Sequence, residues 1–224
     1  VDVSASFQKL DGSLLTTKEA QQRFALLSRI RSRGFEQVME EAAYTWFNRF
    51  IALKYMEEHQ LLPVDIRVLP EQPGALPQMV KEAQHVELDG VSLADVARML
   101  DENRTDELYR TQLIALCNQL SGSLPQMFEP IEDYTELLFP ENLLRSESVL
   151  GMMAKLNNPK DANWEDIQVI GWLYQYYISE KHDEVVDING SSIKKEDIPA
   201  ATCLYTTDWV VRYMVENSLG ALWL

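Results

Sequence analysis

Cysteine, histidine and clustered glycine are all scarce in this sequence, and each scarcity removes a class of protein. Its 224 residues hold only two cysteines, Cys117 and Cys203, too few and too distant for the disulfide framework of a small secreted domain. Both read as small buried apolar residues of a chain kept in a reducing compartment. The three histidines, His59, His85 and His182, lack the short spacings that build a zinc site, so no metal is expected. The nine glycines are scattered, and no two make the turn that lets backbone N–H groups cradle a phosphate. No apolar run approaches the roughly 18 residues of a membrane span, and no charged-then-apolar leader opens the chain. We therefore expect a cytoplasmic protein without a membrane partner.

Hydrophobic residues make up 46% of the chain, enough for one sizeable core or a core with a satellite. The formal net charge of -15 argues against a surface that grips nucleic acid over most of its extent. The charge is uneven: residues 1–60 hold eight Lys or Arg against eight Asp or Glu, and residues 61–224 hold twelve against 27. Arg29, Arg31 and Arg33, with Arg23 just before them, form the one basic cluster. It is read either as a solvated helix face pairing with Glu36, Glu40 and Glu41, or as a DNA-backbone contact. Acidic neighbours such as Asp101-Glu102 and Asp106-Glu107 splay apart on a helix, which suits solvent better than acid-base catalysis.

The pattern along the chain predicts a mainly α fold, an irregular multi-helix bundle, with room for one short β-hairpin near residues 185–195. Thr16 followed by Glu19 is a capping box ahead of Phe24, Leu27 and Ile30, and Gly34 should break that helix. From Phe35 a stripe of Val38, Met39, Ala42, Trp46, Phe50 and Leu53 predicts the most buried helix. Residues 63–77, with four prolines, read as a loop. Ser92 with Asp95 should start another helix, followed by helices from about Thr105 to Leu120 and Ser146 to Leu156. Asn163 is read as the N-cap of a helix through Tyr174 and Ile178. Asn189-Gly190 gives the hairpin turn, Ile198-Pro199 should be extended, and a last helix should start near Thr207 or Asp208. The Asn157 to Lys160 stretch lacks the second proline and stacking aromatic of a base-flipping Asn-Pro-Pro-aromatic motif, and reads as a turn.

Three stretches carry a family resemblance. The first runs from Glu40 to Glu57 and includes Tyr44, Trp46, Asn48 and Arg49; the second is Gly171 to Tyr177; the third is Ile198 to Gly220. Together they resemble the N-terminal region of the PglX-type adenine-specific DNA methyltransferases of BREX phage-defence systems. The resemblance implies a helical N-terminal domain over residues 1–197 and the start of a methyltransferase catalytic domain over 198–224. It implies that Tyr205, Thr206 and Thr207 lie near S-adenosylmethionine, in the place of an aromatic-Thr-Pro segment, with Thr207 departing from the usual proline. It implies a region that helps to position DNA or other defence-system subunits, and the basic cluster supplies Arg29, Arg31 and Arg33 as candidate DNA contacts. The main cofactor loop and the catalytic motif are not found within the chain. We therefore expect a fragment truncated at both ends, inactive by itself and without bound cofactor. The alternative is a self-contained acidic α-helical module that binds a basic protein and never touches DNA.

Overall fold

Thr16 begins the structure as the sequence predicts. Its hydroxyl accepts the backbone N–H of Glu19, and the Glu19 carboxylate accepts the N–H of Thr16, so two orphan donors at the helix start are satisfied reciprocally. The computed structural model describes residues 14–125, 127–129, 134–157, 164–186, 193, 198–202 and 204–223. Its contacts divide the chain into two compact units, Val1–Asn157 and Asn158–Leu224.

In the first unit, α1 (Thr17–Arg33) ends at Gly34, whose φ of 91° is a conformation few side chains tolerate. Helix α2 (Phe35–Glu58) follows at once and buries more residues than any other described helix, with Val38, Ala42, Trp46, Phe50 and Leu53 all in the core. Met39 of the predicted stripe is 37% exposed, and Phe24 of α1 is 73% exposed. Short α3 (Gln78–Lys81), α4 (Leu93–Asp101) and α5 (Thr105–Ser121) then pack on one another. Ser92 caps α4 by accepting the N–H of Asp95, and α5 buries Leu108, Leu113, Leu116 and Leu120. Ser148, rather than Ser146, caps α6 (Val149–Lys155).

Two irregular segments complete the unit. The proline-rich loop after α2 is tied down by Glu57, whose Oε2 accepts the N–H groups of Val68 (2.6 Å) and Leu69 (2.9 Å). Tyr109 of α5 donates its hydroxyl to the Val68 carbonyl at 2.9 Å, and Gln112 donates to the Met79 carbonyl at 3.1 Å. The second segment is a strap that includes Met127–Glu129 and the 3₁₀ turn Tyr134–Glu136 and reaches Phe139. Phe128 and Phe139 anchor it in the core. Long side chains donate to its carbonyls: Trp46 to Thr135 (3.3 Å), Arg49 to Glu129 (3.0 Å) and Arg110 to Glu136 (2.7 Å). Phe139 meets the Trp46 indole edge to face at 4.7 Å.

The second unit contains α7 (Gln168–Val185), which packs against α8 (Ile198–Thr202). The expectation of extended backbone at Ile198-Pro199 is corrected: both residues lie in the first turn of α8, where a proline removes no hydrogen bond the helix needs. Beyond α8 come α9 (Asp208–Val215), a π-turn at Glu216–Gly220 and α10 (Ala221–Trp223). The fold is mainly α, with no β-strand among the described residues. The expected N-cap at Asn163 is corrected, since α7 starts at Gln168 with Ile167 in the cap position and residues 164–167 form turns; Asn163 itself, the Asn189-Gly190 turn, Cys203 and residues 158–160 lie outside the described residues.

Candidate functional site

Two places hold the residues that the sequence singles out, one in each unit. In the first unit, Arg29 and Arg33 come together on a single carboxylate of α2, with Glu41 at 3.2 Å and 2.8 Å. The ion pairs join the end of α1 to α2 across the Gly34 break. Arg31 is exposed and forms no ion pair among the described residues. Of the three candidate DNA contacts, it is the one whose charge no ion pair among the described residues engages.

Beside these pairs lies a cleft of about 300 Å³. Glu41, Tyr44, Thr45 and Arg49 line it from α2, and Glu129, Tyr134 and Thr135 line it from the strap. Five of its lining residues, Ala42 included, thus come from the Glu40 to Glu57 run that carries the family resemblance. Arg49 is buried, stacks over Trp46 at 5.0 Å from the ring centroid and bonds the strap, so its first task is to fasten α2 to that segment. The carbonyl it bonds, that of Glu129, belongs to irregular backbone. The strap itself went unread, although Phe128 and Phe139 near prolines were its available signal. The lining of the cleft offers hydroxyls and charged groups side by side. No cluster of three His, Cys, Asp or Glu that would hold a metal occurs among the described residues.

In the second unit, Tyr205, Thr206 and Thr207 form the connection from α8 into α9. Tyr205 and Thr207 are half-buried and Thr206 is exposed. The Tyr205 ring lies directly against Gly171 in the first turn of α7: a Cβ added there would collide with ring carbons Cδ2, Cε2 and Cζ. Two of the three family-like stretches therefore meet at one point. Thr207 occupies the N-cap position of α9 with φ -62° and ψ 146°. Its carbonyl accepts the N–H groups of Val210 and Val211, but its hydroxyl makes no capping bond. This φ is the value to which a proline ring would lock the chain.

Comparison with known proteins identifies where such a chain occurs. No family model and no solved structure matches it. It is 43% identical over 206 residues to the adenine-specific methyltransferase BrxX of Escherichia coli O9:H4 (strain HS), covering 90% of this chain and 17% of that protein. It is 34% identical over 233 residues to the adenine-specific methyltransferase PglX of Lacticaseibacillus casei (strain Zhang), covering 95% and 19% respectively. This chain is a segment of a PglX-type protein. It spans less than a fifth of the length of the relatives it matches. For the PglX-type segment the likeness therefore reaches well beyond the three stretches, across at least 90% of the chain. No described helix is long and apolar enough to cross a membrane.

Proposed function

We propose that this segment is a non-catalytic helical part of an S-adenosylmethionine-dependent methyltransferase that modifies adenine N6 in DNA, within a phage-defence system. On this reading residues 1–197 position DNA or partner subunits and residues 198–224 open the catalytic domain. The observation that carries it is the conformation of Thr207. With φ -62° and ψ 146°, and no bond from its N–H among the described residues, threonine takes the φ that a proline would fix there, which supports reading Tyr205-Thr206-Thr207 as the aromatic-Thr-Pro segment. Tyr205 and Thr206 would flank the methionine end of S-adenosylmethionine, and the Gly171 cradle that seats the Tyr205 ring fits that use. When bound, the cofactor supplies the methyl group; the residues here only shape one edge of its site.

Two further features support the reading. Trp209, Tyr213, Met214 and Leu219 leave the C-terminal helices with an exposed apolar face, as expected of a segment that packs into a larger domain. The exposed Arg31, with Arg29 and Arg33 held beside it on Glu41, gives a local cationic edge on an otherwise acidic chain. Likeness to adenine-specific methyltransferases favours this function over a self-contained acidic interaction module.

The test uses the full-length protein. Replacing Arg29, Arg31 and Arg33 together by Ala should weaken DNA binding. It should also make the slope of log affinity against log salt shallower by about 0.9 for each phosphate no longer neutralised. An unchanged slope would remove the DNA-positioning role. Tyr205→Ala should weaken S-adenosylmethionine binding by at least about tenfold in calorimetry, equivalent to about 1.4 kcal/mol; an unchanged affinity would refute the cofactor-edge assignment.

A further inference from the structure

Gly171 stands in the first turn of a long helix, where glycine costs roughly 1 kcal/mol relative to alanine. Its backbone φ gives no reason for the choice, since only Gly34, Gly74 and Gly90 take positive values among the described glycines. The reason is steric. The space a Cβ would fill is taken by the Tyr205 ring, whose carbons Cδ2, Cε2 and Cζ all lie too close for any side chain at position 171. A bare Cα on α7 is therefore the seat of an aromatic ring from the connection between α8 and α9. That ring is half-buried while its neighbour Thr206 is exposed, so the seat fixes the backbone on one side and leaves the next residue free to meet a ligand.

We propose that Gly171 is a positioning residue for the cofactor edge. Its missing side chain lets Tyr205 lock the Tyr205-Thr206-Thr207 segment against α7 in the geometry that receives S-adenosylmethionine. The proposal rests on the assignment of that segment to the cofactor and adds α7 to the elements that shape the site. A methyl group at 171 must push the ring away, and the segment with it, whereas the helix itself would gain from alanine. Removing the ring as well separates loss of positioning from simple overpacking.

The test is made in the full-length protein with three variants, Gly171→Ala, Tyr205→Ala and the pair, measuring S-adenosylmethionine affinity by calorimetry alongside Tm. Gly171→Ala should weaken the cofactor at least about tenfold, with KM for the cofactor rising more than kcat falls. In the Tyr205→Ala background the ring is gone, so adding Gly171→Ala should change affinity less than about twofold, a strong departure from additivity. If Gly171→Ala does not fold, the pair decides: it should fold and bind as Tyr205→Ala does. A pair that stays unfolded, or that binds much more weakly than Tyr205→Ala, overturns the proposal. Gly171→Ala with unchanged affinity, while Tyr205→Ala loses it, also overturns the proposal and leaves the cofactor-edge assignment standing. If Tyr205→Ala itself leaves affinity unchanged, the assignment fails and the proposal with it.

Discussion

Glu57 offers the sharpest test of what holds the first unit together. Its side chain is only 4% exposed, yet it ends α2 as a carboxylate accepting two buried backbone N–H groups from Val68 and Leu69. Lys54 stands 3.8 Å away and Arg67 3.6 Å away. Truncation by Glu57→Ala orphans both N–H groups, at roughly 1–3 kcal/mol each, and strips buried Lys54 of one of its two carboxylates. Glu57→Gln keeps an oxygen that can accept both bonds and removes the cost of burying a charge. We expect losses of about 4 kcal/mol for the alanine variant and about 1 kcal/mol for the glutamine variant. At this chain size that corresponds to Tm falls of roughly 8–16 °C and 2–4 °C. Urea unfolding followed by tryptophan fluorescence reads both. Burial pushes the Glu57 carboxyl above its ordinary value, against the opposing bonds from Leu69 and Val68 and the charges of Lys54 and Arg67. Its protonated form is thus favoured in the folded chain. The associated stability is complete below 4.5 and is lost as pH rises through the higher folded value. Glu57→Gln lacks that loss, so its deficit relative to the parent should shrink as pH rises from 4.5. Equal stability of the two variants, or a deficit that grows with pH, would refute the argument.

Thr207→Pro should be tolerated, raising stability by about 0.4–1 kcal/mol through the unfolded chain, because φ is already -62° and its N–H makes no bond among the described residues. A fall in Tm would show that the connection into α9 differs from the structure. Cys117 is buried, and burial pushes its thiol up to about 12. Its peptide should therefore resist alkylation at pH 8 in the folded chain and react only in denaturant, as mass spectrometry would report; rapid labelling without denaturant would contradict the packing of α5.

Sequence patterns revealed the helices because caps and periodicity are local. The Thr16-Glu19 box, the Gly34 break, the Ser92 cap and the α2 stripe each depend on residues within a turn or two of one another. What escaped is tertiary. Nothing local marks Glu57 as buried, and only the return of the proline-rich loop makes it a buried acceptor. The strap has no period at all, since its order comes from distant donors on α2 and α5. At the candidate sites, the aromatic and threonine residues of the third stretch could be named from resemblance. The partnership of Tyr205 with Gly171 could not, because 34 positions separate them and a glycine carries no pattern of its own. The start of α9 was legible near Thr207 or Asp208, but the exposure of its Trp209, Tyr213 and Met214 was not, because a helix pattern does not say what covers it.

The way the strap is fastened also sets how the first unit breathes. Three of its carbonyls accept long side chains of α2 and α5, and its Glu136 carboxylate is held by Lys18 and Gln22 of α1, so those side-chain bonds can release together while the helices keep every helical bond. Such a release is a sub-global opening, cheaper than unfolding, and it would bare Trp46 and the aromatic pair it forms with Phe139. Amide protons of the strap should therefore exchange with solvent ahead of those in the middle of α2. Loss of the Trp46 or Arg49 donor would accelerate that exchange while leaving the helices' own rates nearly untouched.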